Sequence, residues 1–161
     1  MKLTIKEAMK RINLYEQQLN NLLTDEIQNH TITYLENEKP EYPEYTFENT
    51  TKEIEKLQDE VLALRKAINL ANQQTLIGIK DFTISDGLVR IAQLTNNSNR
   101  YHMLSSEKQK TRMTTHNDSI EYTECVYDVK EVKDIYFKCI EDIHALQTAI
   151  DKANLLTEIE V

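Results

Sequence analysis

The chain has 161 residues, a formal net charge of −8, and only two glycines and two prolines. This length suits one domain, and the scarcity of Gly and Pro favours long uninterrupted helices. The negative charge argues against non-specific binding to nucleic acid or to an anionic membrane. No apolar run approaches the roughly 20 residues that span a bilayer, and the start of the chain lacks the apolar core of a signal peptide.

Two cysteines, Cys125 and Cys139, are too few for a disulfide framework. We therefore expect a cytoplasmic protein with reduced thiols. Cys139 falls on a helix seam, where a thiol serves as a small apolar side chain.

Apolar residues at alternating spacings of three and four predict four helices in chain order, each with one apolar stripe. The first stripe consists of Ile5, Ala8, Ile12, Tyr15, Leu19 and Leu22. The second consists of Ile54, Leu57, Val61, Leu64, Ile68 and Ala71. The third begins with Ile84, Leu88, Ile91 and Leu94, and polar residues 95–99 then interrupt it. The fourth consists of Val129, Val132, Tyr136, Cys139, Ile143, Leu146, Ile150 and Ala153.

Motifs that resemble capping boxes mark the predicted helix starts, because the first side chain can accept a free backbone N–H and the acid can reach back. They are Thr4-x-x-Glu7, Thr50-x-x-Glu53, Thr83-x-x-Asp86 and Asp128-x-x-Glu131. Thr46 is a rival cap for the second helix, since it aligns with Asp128 in an internal repeat.

That internal repeat aligns residues 54–75 with residues 136–157 without a gap, and eight of the 22 positions are identical. Residues 3–12 also match residues 82–91. We interpret the chain as a duplicated helix–loop–helix, with repeat one at residues 3–75 and repeat two at residues 82–157.

The resulting prediction is an all-α fold in which the duplicated αα-hairpin forms an antiparallel four-helix bundle in one domain, residues 1–161. Two long loops, residues 29–49 and 100–127, interrupt the repeats. The segments His30–Leu35 and Ser119–Tyr127 are rich in Thr, Ile, Tyr and Val, so they are candidates for short strands.

Four passages together resemble the septicolysin-like family of small uncharacterised bacterial helical proteins. They are MKLTIKEAMKRI (1–12), the PEYP loop (40–43), AINLANQQT with FTISDGLVRIAQL (67–75 and 82–94), and AIDKANLLTEIEV (149–161). The resemblance covers nearly the whole chain. It implies a helical-hairpin fold, self-association and no established biochemical activity.

The best ligand-binding candidate is a basic island at residues 100–117, which carries a charge of +3 in an acidic chain. Arginine could bind a phosphate or carboxylate through a bidentate fork, and tyrosine could supply a stacking face. The residues predicted to bind are Arg100, Tyr101, Lys108, Lys110, Arg112 and Tyr122. The alternative, which is our preferred interpretation, is a solvated loop whose charges offset the acidic fourth helix.

Asn72 and Asn154 form a polar pair at equivalent positions of the two repeats, near the predicted helix ends. They could build a twofold-related polar site. Alternatively, each Asn simply ends its helix or bonds a neighbouring backbone group, which is our preferred interpretation.

The sequence offers no catalytic residues, no metal site and no cofactor motif. Its histidines lack metal-ligand spacing, and it contains neither a Gly-rich phosphate loop nor a nucleophile elbow. Adjacent carboxylates on a helix point about 100° apart, so they are interpreted as solvated faces.

We therefore expect a non-enzymatic, homo-oligomeric helical protein that acts as a binding or scaffold module, without nucleic acid or membrane as a partner. The fourth helix supports self-association, because Ile135, Phe137 and Ile140 lie beyond its single seam. The alternative function is sequestration of a small anionic, nucleotide-type ligand at the basic, Tyr-containing loop end, across an oligomer interface. An enzyme is the third hypothesis, and no convergent titratable groups support it.

Overall fold

The structure, a computed structural model, describes all 161 residues and is mostly helical, as predicted. Its four helices are α1 (Ile5–Asn29), α2 (Phe47–Gln74), α3 (Ile84–Ser105) and α4 (Val129–Leu156). Its four short strands are β1 (Lys2–Thr4), β2 (Lys110–Thr114), β3 (Ile120–Glu124) and β4 (Glu158–Glu160). None of the helices combines enough length and apolar character to cross a membrane.

The predicted helix caps are confirmed at three of the four helices. Complete capping boxes start α1 at Thr4 and α3 at Thr83. At α4, the Asp128 carboxylate accepts from the backbone N–H groups of residues 130 and 131, at 2.8 and 3.1 Å. The Thr50 cap is wrong, because α2 already begins at Phe47 and the rival Thr46 precedes it.

The chain divides into two compact units. The first unit comprises residues 1–72 and 154–161, and the second comprises residues 73–153. Their assembly into one domain and one antiparallel four-helix bundle stays a prediction.

In the first unit, α1 and α2 run antiparallel, since Glu16 pairs with Arg65 at 2.6 Å while Asp25 and Glu53 line one cavity. The antiparallel strands β1 and β4 pair Leu3 with Ile159. The buried apolar side chains are Ile5, Ala8, Ile12, Leu64, Ile68 and Ile159. The core of this unit therefore lies near the start of α1 and the end of α2.

In the second unit, α3 and α4 also run antiparallel. The Cys139 thiol donates to the Leu94 carbonyl at 3.2 Å, and the rings of His102 and Tyr136 meet edge to face at 5.3 Å. Cys139 is buried, as its seam position predicts, and burial raises the pKa of its thiol. The buried apolar side chains are Ile77, Ile84, Leu94, Cys139, Ile143, Leu146 and Ile150.

The same hydrogen bond fixes the start of the first helix in each unit. The Ile5 N–H donates to the Thr157 carbonyl at 3.0 Å, and the Ile84 N–H donates to the Thr75 carbonyl at 2.9 Å. Both donors are the first residue of a helix and have nearly fully buried side chains, and both acceptors are the residue directly after the end of another helix. Positions that match in the sequence repeat thus occupy the same local geometry.

The β2–β3 hairpin follows α3 in the second unit. The Thr115 N–H donates to the Ser119 carbonyl at 2.8 Å and closes a three-residue loop, residues 116–118. Its last residue, Asp118, has φ 54°, the left-handed conformation typical of this loop class. The Gln109 side chain holds the base of the hairpin, because its amide donates to the Tyr127 carbonyl and its oxygen accepts from the Val129 N–H. The prediction of a strand within residues 119–127 is therefore confirmed.

The other predicted loop strand is wrong, because residues 30–35 have no strand partner and form no regular structure. Strand-like composition alone cannot make a strand without a neighbour to complete its hydrogen bonds.

Candidate functional site

An open groove lies between α1 and α2 in the first unit, with a cavity of about 610 Å³. We call it the α1–α2 groove. It is lined by Tyr15, Gln18, Asn21, Leu22, Asp25, Glu53, Lys56, Leu57 and Glu60.

This groove exists because the apolar seams of α1 and α2 continue beyond the part of the unit that buries them. Ile5, Ala8 and Ile12 are buried, whereas Tyr15 and Leu22 on the same stripe remain partly exposed. The α2 stripe shows the same change between buried Leu64 and partly exposed Leu57. Two helices cannot cover their own shared seam, so this half of the hairpin presents an apolar floor.

The rim of the α1–α2 groove is acidic. Asp25, Glu53 and Glu60 face a single cation, Lys56, among the lining residues. The Glu60 carboxylate raises the pKa of Tyr15, because a nearby carboxylate favours the neutral, hydrogen-donating phenol over the phenolate. The groove thus combines an apolar floor with unbalanced negative charge.

A second cavity of about 460 Å³ extends the α1–α2 groove towards the loop that precedes α2. It shares Leu22, Asp25 and Glu53 with the first cavity and reaches Tyr45. The Tyr45 hydroxyl donates to the Glu26 carboxylate at 2.6 Å, and this bond is the main cause that raises the Tyr45 pKa. Tyr45 therefore anchors the loop to α1.

The structure brings only part of the predicted basic site together. Lys110, Arg112 and Tyr122 lie on one face of the β2–β3 hairpin, where Arg112 is directly opposite Tyr122. The Lys110 ammonium lies 5.0 Å from the Tyr122 ring centre and 3.3 Å from the Glu124 carboxylate. Its charge is therefore already partly balanced.

The remaining residues of the predicted basic site lie elsewhere. Arg100 and Tyr101 belong to α3, where the guanidinium lies 5.6 Å from the centre of its neighbour's ring. They make no hydrogen bond, ion pair or cation–π contact with the hairpin. Lys108 precedes β2, and its backbone carbonyl accepts from the Cys125 thiol at 3.4 Å. The function of these residues stays a prediction.

Asn72 and Asn154 each lie two residues before the last residue of their helix, as the repeat predicts. Both belong to the first unit and are partly buried. The Asn72 side-chain oxygen is buried without a hydrogen-bond partner, which is unfavourable for a polar atom. A binding site at this pair stays a prediction.

Sequence reasoning missed the α1–α2 groove. The available signal was the number of apolar stripe positions in the first two helices, which exceeds what one hairpin can bury. The acidic residues beside the stripe at Asp25, Glu53 and Glu60 could have indicated the charge of the surface.

Comparisons with known proteins establish the family and the fold. The sequence profile of a family described as a family of unknown function, DUF6847, matches residues 13–159. A crystal structure of a functionally unknown conserved protein from Corynebacterium diphtheriae is similar to 99% of this chain and to 100% of that chain. The TM-score is 0.70 at 16% sequence identity, so the likeness shows a shared fold. No curated protein matches significantly.

Proposed function

Because the chain belongs to the DUF6847 family of unknown function, we propose its role from its geometry: a non-enzymatic, homo-oligomeric helical protein that binds partner proteins. The α1–α2 groove is the binding surface in this proposal. Its occupant is an amphipathic helix of a partner protein, with apolar residues on one face and Lys or Arg beside them. The protein acts in the cytoplasm, and its helices pack as an antiparallel bundle. We also propose that the chain is related to the septicolysin-like proteins.

The observation that supports this proposal is the open seam between α1 and α2. The half-buried side chains of Leu22 and Leu57 form an apolar floor in this seam. Grooves that bind a helix present such a floor to apolar side chains spaced three and four residues apart along that helix. The carboxylates of Asp25, Glu53 and Glu60 select a basic partner, since cations flanking an apolar stripe would meet them at the rim.

The charge of the rim also distinguishes between possible occupants. A second α1–α2 hairpin in the groove would place like charges of Asp25, Glu53 and Glu60 near one another, which is unfavourable. A basic helix has no such conflict. Self-association is therefore assigned to other surfaces, and the exposed Ile135 and Phe137 on α4 support it.

A peptide-binding experiment tests the groove. The probe is a fluorescent, helical peptide of about 14 residues, about 21 Å long, with Leu on one face and Lys on its flanks. The matched control peptide has Glu in place of every Lys. We expect the Lys peptide to bind and the Glu peptide to bind at least about tenfold more weakly, as measured by fluorescence anisotropy.

Matched variants test whether the peptide binds in the α1–α2 groove. The double substitution Glu53→Lys and Glu60→Lys is expected to weaken binding of the Lys peptide at least about tenfold. The control double substitution Glu55→Lys and Asp59→Lys makes the same total charge change at exposed positions of α2 that do not line the groove, and it should leave binding unchanged. Equal binding of both peptides, or equal loss in both variants, would overturn the proposal.

The alternative, sequestration of an anionic nucleotide-type ligand, is favoured by the shared face of Lys110, Arg112 and Tyr122 on the hairpin. A thermal shift with nucleotides that disappears in Arg112→Ala or Arg100→Ala would support this alternative. Under the lead proposal, Arg100→Glu and Arg112→Glu leave binding of the Lys peptide intact.

A further inference from the structure

The β2–β3 hairpin forms an isolated two-stranded sheet whose two outer edges have no strand partner. All five residues of β3 are exposed, including Ile120 at 49% and Tyr122 at 60% of their maximal accessible surface. A hairpin of two five-residue strands is only marginally stable without further strands or a packed face. This hairpin is therefore suited to gain strands from another molecule.

The pairing register determines which backbone groups remain free. The Cys125 N–H donates to the Gln109 carbonyl at 2.9 Å, and the Thr115 N–H donates to the Ser119 carbonyl at 2.8 Å. Antiparallel pairs alternate between bonded and non-bonded, so the odd-numbered pairs bond across the hairpin. On β3, the N–H and C=O groups of Ile120, Tyr122 and Glu124 consequently point outward.

We propose that two copies of this chain join through the outer edges of β3, antiparallel about a twofold axis at Tyr122. This inference rests on the self-association in the proposed function and names its surface. Tyr122 lies opposite the partner's Tyr122, and Ile120 lies opposite the partner's Glu124. All outward-pointing groups of the strand then find partners, and the two hairpins form one four-stranded sheet.

The cross-strand neighbours favour β3 over β2 for this contact. Pairing β3 about Tyr122 brings two aromatic rings together and opposes Glu121 to Thr123, so no like charges lie directly opposite each other. Pairing β2 in the equivalent full-length register brings two Arg112 side chains together, which is destabilising. Shifting the β3 axis by one residue to Glu121 would similarly oppose two carboxylates.

The symmetry of the contact also favours β3 with β3. Pairing the β2 edge of one copy with the β3 edge of the next would leave a free edge at each end, so the sheet would continue to grow. The twofold β3 contact consumes the β3 edge in both copies. The remaining outer edges carry Lys110 and Arg112, and charged side chains discourage further strand addition.

Disulfide cross-linking tests the register in the full chain. Cα atoms of a hydrogen-bonded antiparallel pair lie about 5.5 Å apart, within the range of about 4.4–6.8 Å that a disulfide requires. In a Cys125→Ser background, Tyr122→Cys should form a covalent dimer on mild oxidation. Thr123→Cys should not, because Thr123 lies opposite Glu121 of the other copy. Equal cross-linking of the two variants would overturn the register.

A pair of proline substitutions tests the edge by native mass spectrometry and sedimentation. Tyr122→Pro and Arg112→Pro each remove one outward N–H from the same hairpin without removing an N–H bonded within it. We expect Tyr122→Pro to raise the dimer dissociation constant at least about tenfold and Arg112→Pro to leave it within about twofold. Circular dichroism checks that both variants retain their helices.

The outcomes separate this inference from the proposed function. If wild-type protein self-associates and Tyr122→Pro does so equally well, the β3 contact is wrong and the broader proposal of self-association stands. If wild-type protein is a monomer at every concentration measured, both are wrong. Loss of assembly in Arg112→Pro but not in Tyr122→Pro would assign the contact to the β2 edge and overturn the inference.

Discussion

Gly87 occupies a point on α3 where a side chain has little room. A Cβ atom added there would lie 2.9 Å from the Ile77 Cδ1 atom and 3.0 Å from the Ile150 Cδ1 atom. Crowding in a packed core costs about 1–3 kcal/mol, and replacing a helical Gly by Ala returns about 1 kcal/mol of helix propensity. We expect Gly87→Ala to lower the free energy of unfolding by about 1 kcal/mol, measured by urea denaturation.

Two further variants test the cause of this effect. In an Ile77→Val background the closest methyl group is absent, so Gly87→Ala should lower the free energy of unfolding by less than it does in the wild type. Ala8 matches Gly87 in the repeat and is fully buried on α1. Ala8→Gly should lower the free energy of unfolding by about 1 kcal/mol, because glycine has a lower helix propensity than alanine. The same cost of Gly87→Ala in both backgrounds would contradict the steric explanation.

At the scale of the element, the helix starts connect the stability of α1 and α3 to pH. The Thr4 N–H donates to the Glu7 carboxylate at 2.8 Å, and the Thr83 N–H donates to the Asp86 carboxylate at 3.0 Å. These backbone hydrogen bonds are the main reason that the pKa of each acid lies below its ordinary value, 4.5 for Glu7 and 3.8 for Asp86. Hydrogen bonds with the threonine hydroxyls lower both pKa values further. Each charged carboxylate therefore stabilises the folded state.

Because the pKa of each acid is lower in the folded state, the stabilisation is fully present above the ordinary values and is lost as pH falls through the lowered ones. We expect the melting temperature of the wild type to fall between about pH 5 and pH 2. The double variant Glu7→Gln and Asp86→Asn should show a smaller fall over this range. Glu36→Gln with Glu41→Gln, in the loop before α2, removes the same charge outside the caps, and an equally reduced fall there would contradict the assignment.

The sequence predicts the helices well because each carries an apolar stripe of period about 3.5, and three of the four also carry a correct start signal. Its errors have physical causes. The strands β1 and β4 have three residues each, too few for a visible alternation, and they form only because distant parts of the chain meet. The strand predicted at residues 30–35 lacks a partner. The start of α2 moves to Phe47, where the chain leaves the loop anchored by Tyr45.

Prediction of the candidate sites was less complete, because composition identifies charge but not its placement. The basic residues are contiguous in sequence, yet α3 and the hairpin hold them on separate elements. The α1–α2 groove depends on how far each seam is covered, and this is a property of the folded chain. The residues of the seam are visible in the sequence, whereas their exposure is not.

At the scale of the whole molecule, the two units depend on segments of very different sequence separation. The strand pair of the first unit joins residues 2–4 to residues 158–160, with Ile159 buried. In the second unit, the Leu76–Thr83 bridge lies within one short connection, and Ile77 is similarly buried. The two units thus reach the same local geometry in different ways. The second unit uses a contact between residues close in sequence, whereas the first unit uses a contact across nearly the whole chain, which forms more slowly during folding.

This difference predicts where each core substitution acts. Ile159→Ala and Ile77→Ala each remove most of a buried branched side chain, so each should lower the free energy of unfolding by about 2–5 kcal/mol. In hydrogen exchange, Ile159→Ala should reduce amide protection in residues 5–12, since Thr157 accepts from the Ile5 N–H. Ile77→Ala should instead reduce protection in residues 84–91, because Thr75 accepts from the Ile84 N–H and Ile77 donates to the Phe82 carbonyl. Identical loss of protection in both segments for both variants would show that the two units open only together.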